Sequence, residues 1–182
     1  AVLEGLSLAV GVALVRALEA CSLSGFVLKW HNDLLWCGRK VAGVLLEVSG
    51  NASGHCRLVA GLGLNVSMSS RDADQITQPW VDLREVALSN NVPLPSRNEI
   101  AAEVLNQLLP LLRDYSEKGF SAWRDDWMLL DAYRGREVRL TSGAQSVTGI
   151  ASGVDNGGAL LLEHAGKMKK FSGGELSMRL LG

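Results

Sequence analysis

Between Gly5 and Ala20 the chain is apolar on nearly every side, with Arg16 and Glu19 its only charged residues. A helix of that composition cannot lie on a surface, so other elements must enclose it. Its most apolar run, Leu8 to Val15, stops at Arg16 and is far shorter than the ~20 residues a membrane span requires. The segment therefore predicts a buried core helix. With 182 residues, 47% of them hydrophobic, the chain has enough material to build that core. A net charge of −1 argues against a general binder of nucleic acid or anionic membrane, so an anion would have to be met locally. Cys21, Cys37 and Cys56 are odd in number and lack paired spacing, which predicts no disulfide framework and a reducing, cytoplasmic setting. No signal peptide is evident. The chain opens on Ala1 and enters a helix almost at once, which gives the expectation that it is part of a longer protein.

Around the helix, Phe26–Trp30, Lys40–Ser49 and Arg57–Val66 are short runs rich in Val and Leu, bounded by glycine-bearing turns, and they predict strands. A helix packed on a mixed or antiparallel sheet follows. Polar residues from Ser69 to Pro79 predict an exposed loop, and Val81–Leu88 a short helix. Ser96 and Glu99 form a capping-box pattern ahead of an amphipathic helix in which Pro110 should introduce a kink. Phe120–Tyr133 predicts a further helix, with Trp123 and Trp127 as a core stripe four residues apart. After Tyr133 the character changes to five short strand-like runs separated by "SGA", "DNGG", "HAGK" and "SGGE", the pattern of a small SH3-like barrel. The expected boundary lies near Arg134, giving a domain over 1–133 and a second over 134–182.

One stretch, "LKWHNDLLWCGRKVAGVLLE", crowds Lys29, Asn32, Asp33 and Lys40 among apolar runs. Asn32 and Asp33 fall where a turn is expected, and such side chains often satisfy only their own backbone. Gly43 weighs against that reading, because glycine weakens a strand and marks close approach of a ligand or another backbone. "GLGLN", Gly61 to Asn65, repeats the pattern, but no Rossmann helix follows it and the dinucleotide fingerprint fails.

Taken in order, "KWHNDL", "GRKVAGVLLE", "GLGLN" and the terminal "SGGELSMR" resemble the biotin protein ligases, whose pattern is KWPND, RK-x-x-G-[IV]-L and G-x-G-x-N. The resemblance implies an α+β catalytic domain of the class II synthetase-like kind, followed by the barrel. It implies ATP-dependent conversion of biotin to biotinyl-AMP, with Mg²⁺, and transfer to a lysine of a biotin carboxyl carrier protein. Lys40 matches the catalytic lysine that contacts biotin and phosphate, and Gly43 the glycine lying against biotin. Asn32 and Asn65 match asparagines near the nucleotide, while Lys29, Asp33 and Arg39 belong to the same binding motifs. No residue is assigned to a metal. A homodimer is among the assemblies the family implies; nucleic acid and membrane are not expected partners of this chain.

Two departures accompany the resemblance. The family's GRGRxG-type loop lies ahead of the helix with which this chain begins, so these residues alone are expected to be inactive, and a non-catalytic relative that keeps only a binding role stands as the alternative. His31 replaces the family proline, loosens the turn and adds a group that titrates near neutrality. Elsewhere, His55 and Cys56 with Cys37 or Cys21 lack zinc spacing. His164 falls in an expected turn, "KMKK" is too short to indicate nucleic acid, and Trp36 and Trp80 are read as packing residues.

Overall fold

A computed structural model describes residues 3–50, 56–69, 76, 78–173 and 176–181, with only the backbone given for Gly50 and Cys56. Most of the expected 69–79 loop, and His55 of the zinc candidate, lie outside these residues.

The apolar segment forms α1 (Leu6–Ala20), and within it only Arg16, Glu19 and Ala20 are exposed, as its composition requires. Beside it lies a four-stranded sheet in the order β1 (Phe26–Lys29), β2 (Asp33–Trp36), β3 (Arg39–Gly50), β4 (Cys56–Leu64), with every ladder antiparallel. β2 had no counterpart among the expected strands. After β4 the chain reaches α2 (Leu83–Asn90), which starts two residues later than expected because Asp82 caps it, accepting from the Glu85 amide at 3.0 Å. The Asp82 carboxylate also accepts from the Met68 amide at 2.9 Å, which ties the incoming loop to the helix start.

α3 (Arg97–Lys118) begins with the expected capping box: Ser96 Oγ accepts from the Glu99 amide at 3.2 Å and Glu99 accepts from the Ser96 amide at 2.7 Å. It runs through Pro110 as one helix and packs its Leu108, Leu111 and Tyr115 face against α1. The expected Phe120–Tyr133 helix is instead a 3₁₀ turn (Phe120–Ala122) and α4 (Arg124–Leu130), separated at Trp123. Trp127 is fully buried, whereas Trp123 is half-buried with the Arg16 guanidinium 5.0 Å from its ring centroid, so only one of the pair is a core residue.

All five expected terminal runs are strands: β5 (Glu137–Ser142), β6 (Gln145–Val154), β7 (Leu160–His164), β8 (Lys167–Phe171) and β9 (Ser177–Leu180). They form an antiparallel sheet in the order β8-β7-β6-β5-β9, and no pairing between β8 and β9 closes it among the described residues. His164 is the last residue of β7 rather than part of the turn, and its Nδ1 lies 2.7 Å from the Thr148 carbonyl. The turn itself is Ala165-Gly166, both at positive φ (50° and 70°), the geometry whose twist matches a two-residue hairpin. One hydrophobic core runs through both sheets, from α1 and Trp127 to Val138, Leu160 and Leu162. Trp30 joins the two parts directly, its Nε1 donating to the Gly158 carbonyl at 3.1 Å.

Candidate active site

Antiparallel partners share a face, so the ladder places Lys29, Asp33 and Gly43 on one side of the first sheet: Lys29 pairs with Asp33, and Asp33 with Gly43. Lys40 is three residues from Gly43 and would face the other way in a regular strand. A bulge prevents this. Leu34 pairs with Ala42 and Leu35 with Lys40, so the fully buried Val41 is an extra residue on β3, and Lys40 returns to the face of Asp33 and Gly43.

The three charges meet there. Asp33 Oδ1 accepts from Lys40 Nζ at 2.5 Å and Oδ2 from Lys29 Nζ at 3.0 Å, with only 12% of the Asp33 side chain exposed. Burial pushes the Asp33 carboxyl up, but hydrogen bonding and charge from Lys40 and Lys29 outweigh it and hold the group below its ordinary value. A Cβ on Gly43 would stand 3.2 Å from Lys40 Nζ and 3.3 Å from Cε. The glycine thus does mark a close approach, and what approaches is the chain's own Lys40.

This cluster opens into a cavity of about 270 Å³ between the two sheets, lined among others by Lys29, Asp33, Lys40, Tyr133 and Arg179. Tyr133 and Arg179 were not singled out from sequence. Arg179 closes the terminal "SGGELSMR" of the resemblance, but no role attaches to it there, and Tyr133 lies outside every motif. Burial, then the Asp33 charge, raise the Tyr133 phenol above its usual value and keep it protonated at neutral pH. Next to it, Asp131 is pushed up to about 6, chiefly by burial, and its buried Oδ2 has no hydrogen-bond partner among the described residues.

The remaining expected residues take other positions. Asn32 lines a narrow cleft against Ser7 and Gly11 of α1, and its carbonyl accepts from the Val44 amide at 2.8 Å. Asn65 acts as a joint: its Nδ2 donates to the carbonyls of Lys40 (3.4 Å) and Val81 (3.2 Å). Its backbone N–H donates to the Val41 carbonyl at 2.9 Å. Arg39 is not brought to the cluster. It pairs with Trp36, on the face opposite Lys40, and makes a two-pronged ion pair with Glu85 of α2 at 2.6 and 3.0 Å. Trp36 packs as expected, under Arg39 and with Nε1 donating to the Ser24 carbonyl.

His31 is half-buried beside Trp30, ring centroids 5.2 Å apart, across a cis peptide bond. Burial lowers its pKa, with Lys29 acting in the same direction and Asp33 opposing. Cys21 and Cys37 are free thiols. Among the described residues no group of three or more His, Cys, Asp or Glu could hold a metal, and no helix is long and apolar enough to cross a membrane.

This arrangement can hold an anion, since two ammonium groups share one carboxylate and an arginine faces them across the cavity. Residues 1–65 match the model of the biotin/lipoate A/B protein ligase family, and residues 134–179 that of the biotin protein ligase C-terminal domain. The bifunctional ligase/repressor BirA of Salmonella typhimurium is 35% identical over 175 residues, covering 96% of this chain and 53% of that protein. The biotin–[acetyl-CoA-carboxylase] ligase of Mycobacterium tuberculosis is 34% identical, covering 94% and 61%. The chain thus spans between half and two thirds of the length of these relatives. Among solved structures, the apo biotin protein ligase of Aquifex aeolicus superposes with a TM-score of 0.84 at 29% identity, over 98% of this chain and 76% of that one. The same enzyme in complex with biotin and ATP gives 0.82 at 28%, over 98% and 72%.

Proposed function

The chain belongs to the biotin protein ligase family, and we propose that it carries one wall of an adenylation site that joins biotin to AMP and passes it to a lysine of a biotin carboxyl carrier protein. The observation that carries this reading is the Lys40 ammonium, held over Gly43 by Asp33 at the mouth of a cavity between two sheets.

In the first step a biotin carboxylate oxygen attacks the α-phosphorus of ATP; the new O–P bond forms as the Pα–O–Pβ bond breaks, and pyrophosphate leaves with the electron pair. Two anions are brought together, and Lys40 is the cation fixed where charge redistributes. In the second step the uncharged acceptor amine attacks the acyl carbon, an amide forms, AMP leaves and the amine gives up a proton. The described residues do not fit a resident metal, because Asp33, the only carboxylate lining the cavity, is already held by two ammonium groups. Mg²⁺ therefore enters as part of the MgATP substrate. Lys29 and Asp33 set the position of Lys40, and Gly43 leaves room for it. Asn65 serves the nucleotide by fixing the backbone carbonyl of Lys40, and Asn32 lies in the turn beside the cluster. Arg39 acts by anchoring β3 to α2.

The reading includes a catalytic domain over 1–133, a second domain over 134–182 with an SH3-like barrel, a cytoplasmic setting, and a homodimer as one assembly state. It also includes inactivity of these 182 residues alone, since they span about half of their relatives and offer one wall of the site. Loss of enclosure removes positioning that can account for ~7–11 kcal/mol of a barrier.

In the full-length protein, Lys40→Ala should lower biotin-dependent pyrophosphate release by roughly 10²–10³-fold, the cost typical of removing one transition-state charge partner. Lys40→Arg should recover part of it, since charge returns without the point geometry. Wild-type rates from the alanine variant would overturn the assignment. Incubating the 182-residue chain with MgATP, biotin and a carrier domain should leave the carrier mass unchanged, and turnover there would overturn the claim that it is inactive alone.

A further inference from the structure

The segment joining α4 to β5 is fastened on both sides. Toward the first sheet, Asp131 bridges Leu28, and the Ala132 amide donates to the Leu28 carbonyl at 2.8 Å, one residue before Lys29. Toward the second, the Gly135 amide donates to the Ala151 carbonyl at 2.7 Å, and the Ala151 amide to the Arg136 carbonyl at 3.0 Å. Between these ties Tyr133 faces the cavity. Its own amide donates to Asp131 Oδ1 at 3.0 Å, so the turn that presents the phenol is closed by the Asp131 side chain.

The cavity's charges identify what such a phenol meets. Among the described residues, Lys29, Lys40 and Arg179 line it against a single carboxylate, Asp33, which leaves these side chains a cationic surplus. A protonated phenol beside that surplus adds a neutral donor, a combination suited to an anion with many acceptor oxygens. A polyphosphate chain offers acceptor oxygens to several of these donors at once, and the cavity they line has a volume of about 270 Å³.

We propose that Tyr133 is a ligand-contacting residue that donates its hydroxyl to a phosphate oxygen of a polyphosphate in this cavity, and that Asp131 positions it by fixing the turn on which it stands. Only the identification of that polyphosphate with the nucleotide substrate rests on the ligase reading.

The test is calorimetric titration of the 182-residue chain with sodium tripolyphosphate, and then with ATP and AMP. Wild type should bind tripolyphosphate. Tyr133→Phe keeps the ring, should leave the melting temperature unchanged, and should weaken tripolyphosphate and ATP about tenfold, the loss expected for a hydrogen bond to a charged acceptor, with AMP affected less. Asp131→Ala should weaken tripolyphosphate similarly, and Asp131→Asn, which keeps the acceptor oxygen, should restore it to within about twofold. Lys169→Ala, on the exposed strand β8, should change nothing.

No binding by wild type, equal binding by Tyr133→Phe, or an equal loss in Lys169→Ala would overturn the proposal, the last by revealing unspecific anion attraction. Undiminished binding by a folded Asp131→Ala would overturn the positioning role. Should that variant not fold, failure of Asp131→Asn to match wild type would do the same. Absence of biotin-dependent pyrophosphate release from the full-length protein, with the tripolyphosphate pattern intact, would instead remove the ligase reading and leave this inference standing.

Discussion

On the side of the first sheet that meets α1, Leu28, Leu34, Ala42 and Val44 are each less than 5% exposed; on the other side the neighbouring positions are Lys29, Asp33, Lys40 and Gly43. Both faces are built from the same short strands. The first is held by area removed from water, which tolerates any well-packed apolar set. The second is held by one carboxylate between two ammonium groups, and its geometry depends on a single extra residue in β3. The comparison teaches that stability and site geometry are separable here: the apolar face keeps the sheet folded whether or not the charged face is in working order.

The largest effect should come from the apolar face. Leu34→Ala removes a side chain that is 1% exposed, and should destabilise by about 2–5 kcal/mol in urea denaturation. A smaller loss would show that the face collapses around the cavity and is less closely packed than its burial indicates.

Next comes Asp33→Asn, which leaves Lys29 and Lys40 side by side without their counter-charge. Because both ammonium groups reach the open cavity, the cost should be about 1–2 kcal/mol at neutral pH, well short of the ~3–5 kcal/mol for breaking a fully buried pair. The pH dependence has a definite sign. The folded-state pKa of Asp33 is lowered, so its contribution is present above the unfolded value near 3.8 and is lost as pH falls through the folded value. Asp131 works in the opposite direction: raised to about 6, it disfavours the fold increasingly as pH rises through that value. Subtracting the Asp33→Asn melting profile from that of wild type isolates the first effect, and a difference independent of pH between 2 and 5 would count against the ion cluster.

The smallest stability change and the sharpest contrast belong to Gly43→Ala. The added Cβ is tight only against the flexible end of Lys40, with Asp33 Oδ1 at an ordinary 3.9 Å, so stability should shift by less than about 1 kcal/mol while the ammonium is displaced from its seat. Pyrophosphate release by the full-length protein should fall far more than the melting temperature. Parallel losses would mean that the two faces are not separable.

Val- and Leu-rich composition between glycine-bearing turns made the strands legible, and Ser96 with Glu99 made the start of α3 legible because the cap is local. Composition could not reveal β2, whose apolar part is only "LLW", or the bulge, since nothing about Val41 in isolation distinguishes it from a regular strand residue. By alternation alone Lys40 and Gly43 fall on opposite faces. Only the family pattern brought them together in the sequence reading. Arg39 was carried along by its neighbour in the same motif, and its partner Glu85 lies 46 residues away. Tyr133 and Arg179 enter the cavity through tertiary packing of the second sheet; the terminal motif that contains Arg179 was legible, but its arrival beside Lys40 was not.

Strand β8 sits at one margin of the second sheet with Lys167, Lys169 and Lys170 all exposed. Its outer backbone groups are a template on which a second copy of the sheet could extend. An approaching antiparallel copy of β8 would set lysine against lysine, and like charges directly opposite each other destabilise a ladder. The margin therefore protects itself by repulsion. That protection weakens as ionic strength rises and the screening length contracts from about 10 Å at 0.1 M to about 3 Å at 1 M. Self-assembly through this margin should consequently increase with added salt, the reverse of association held together by ion pairs.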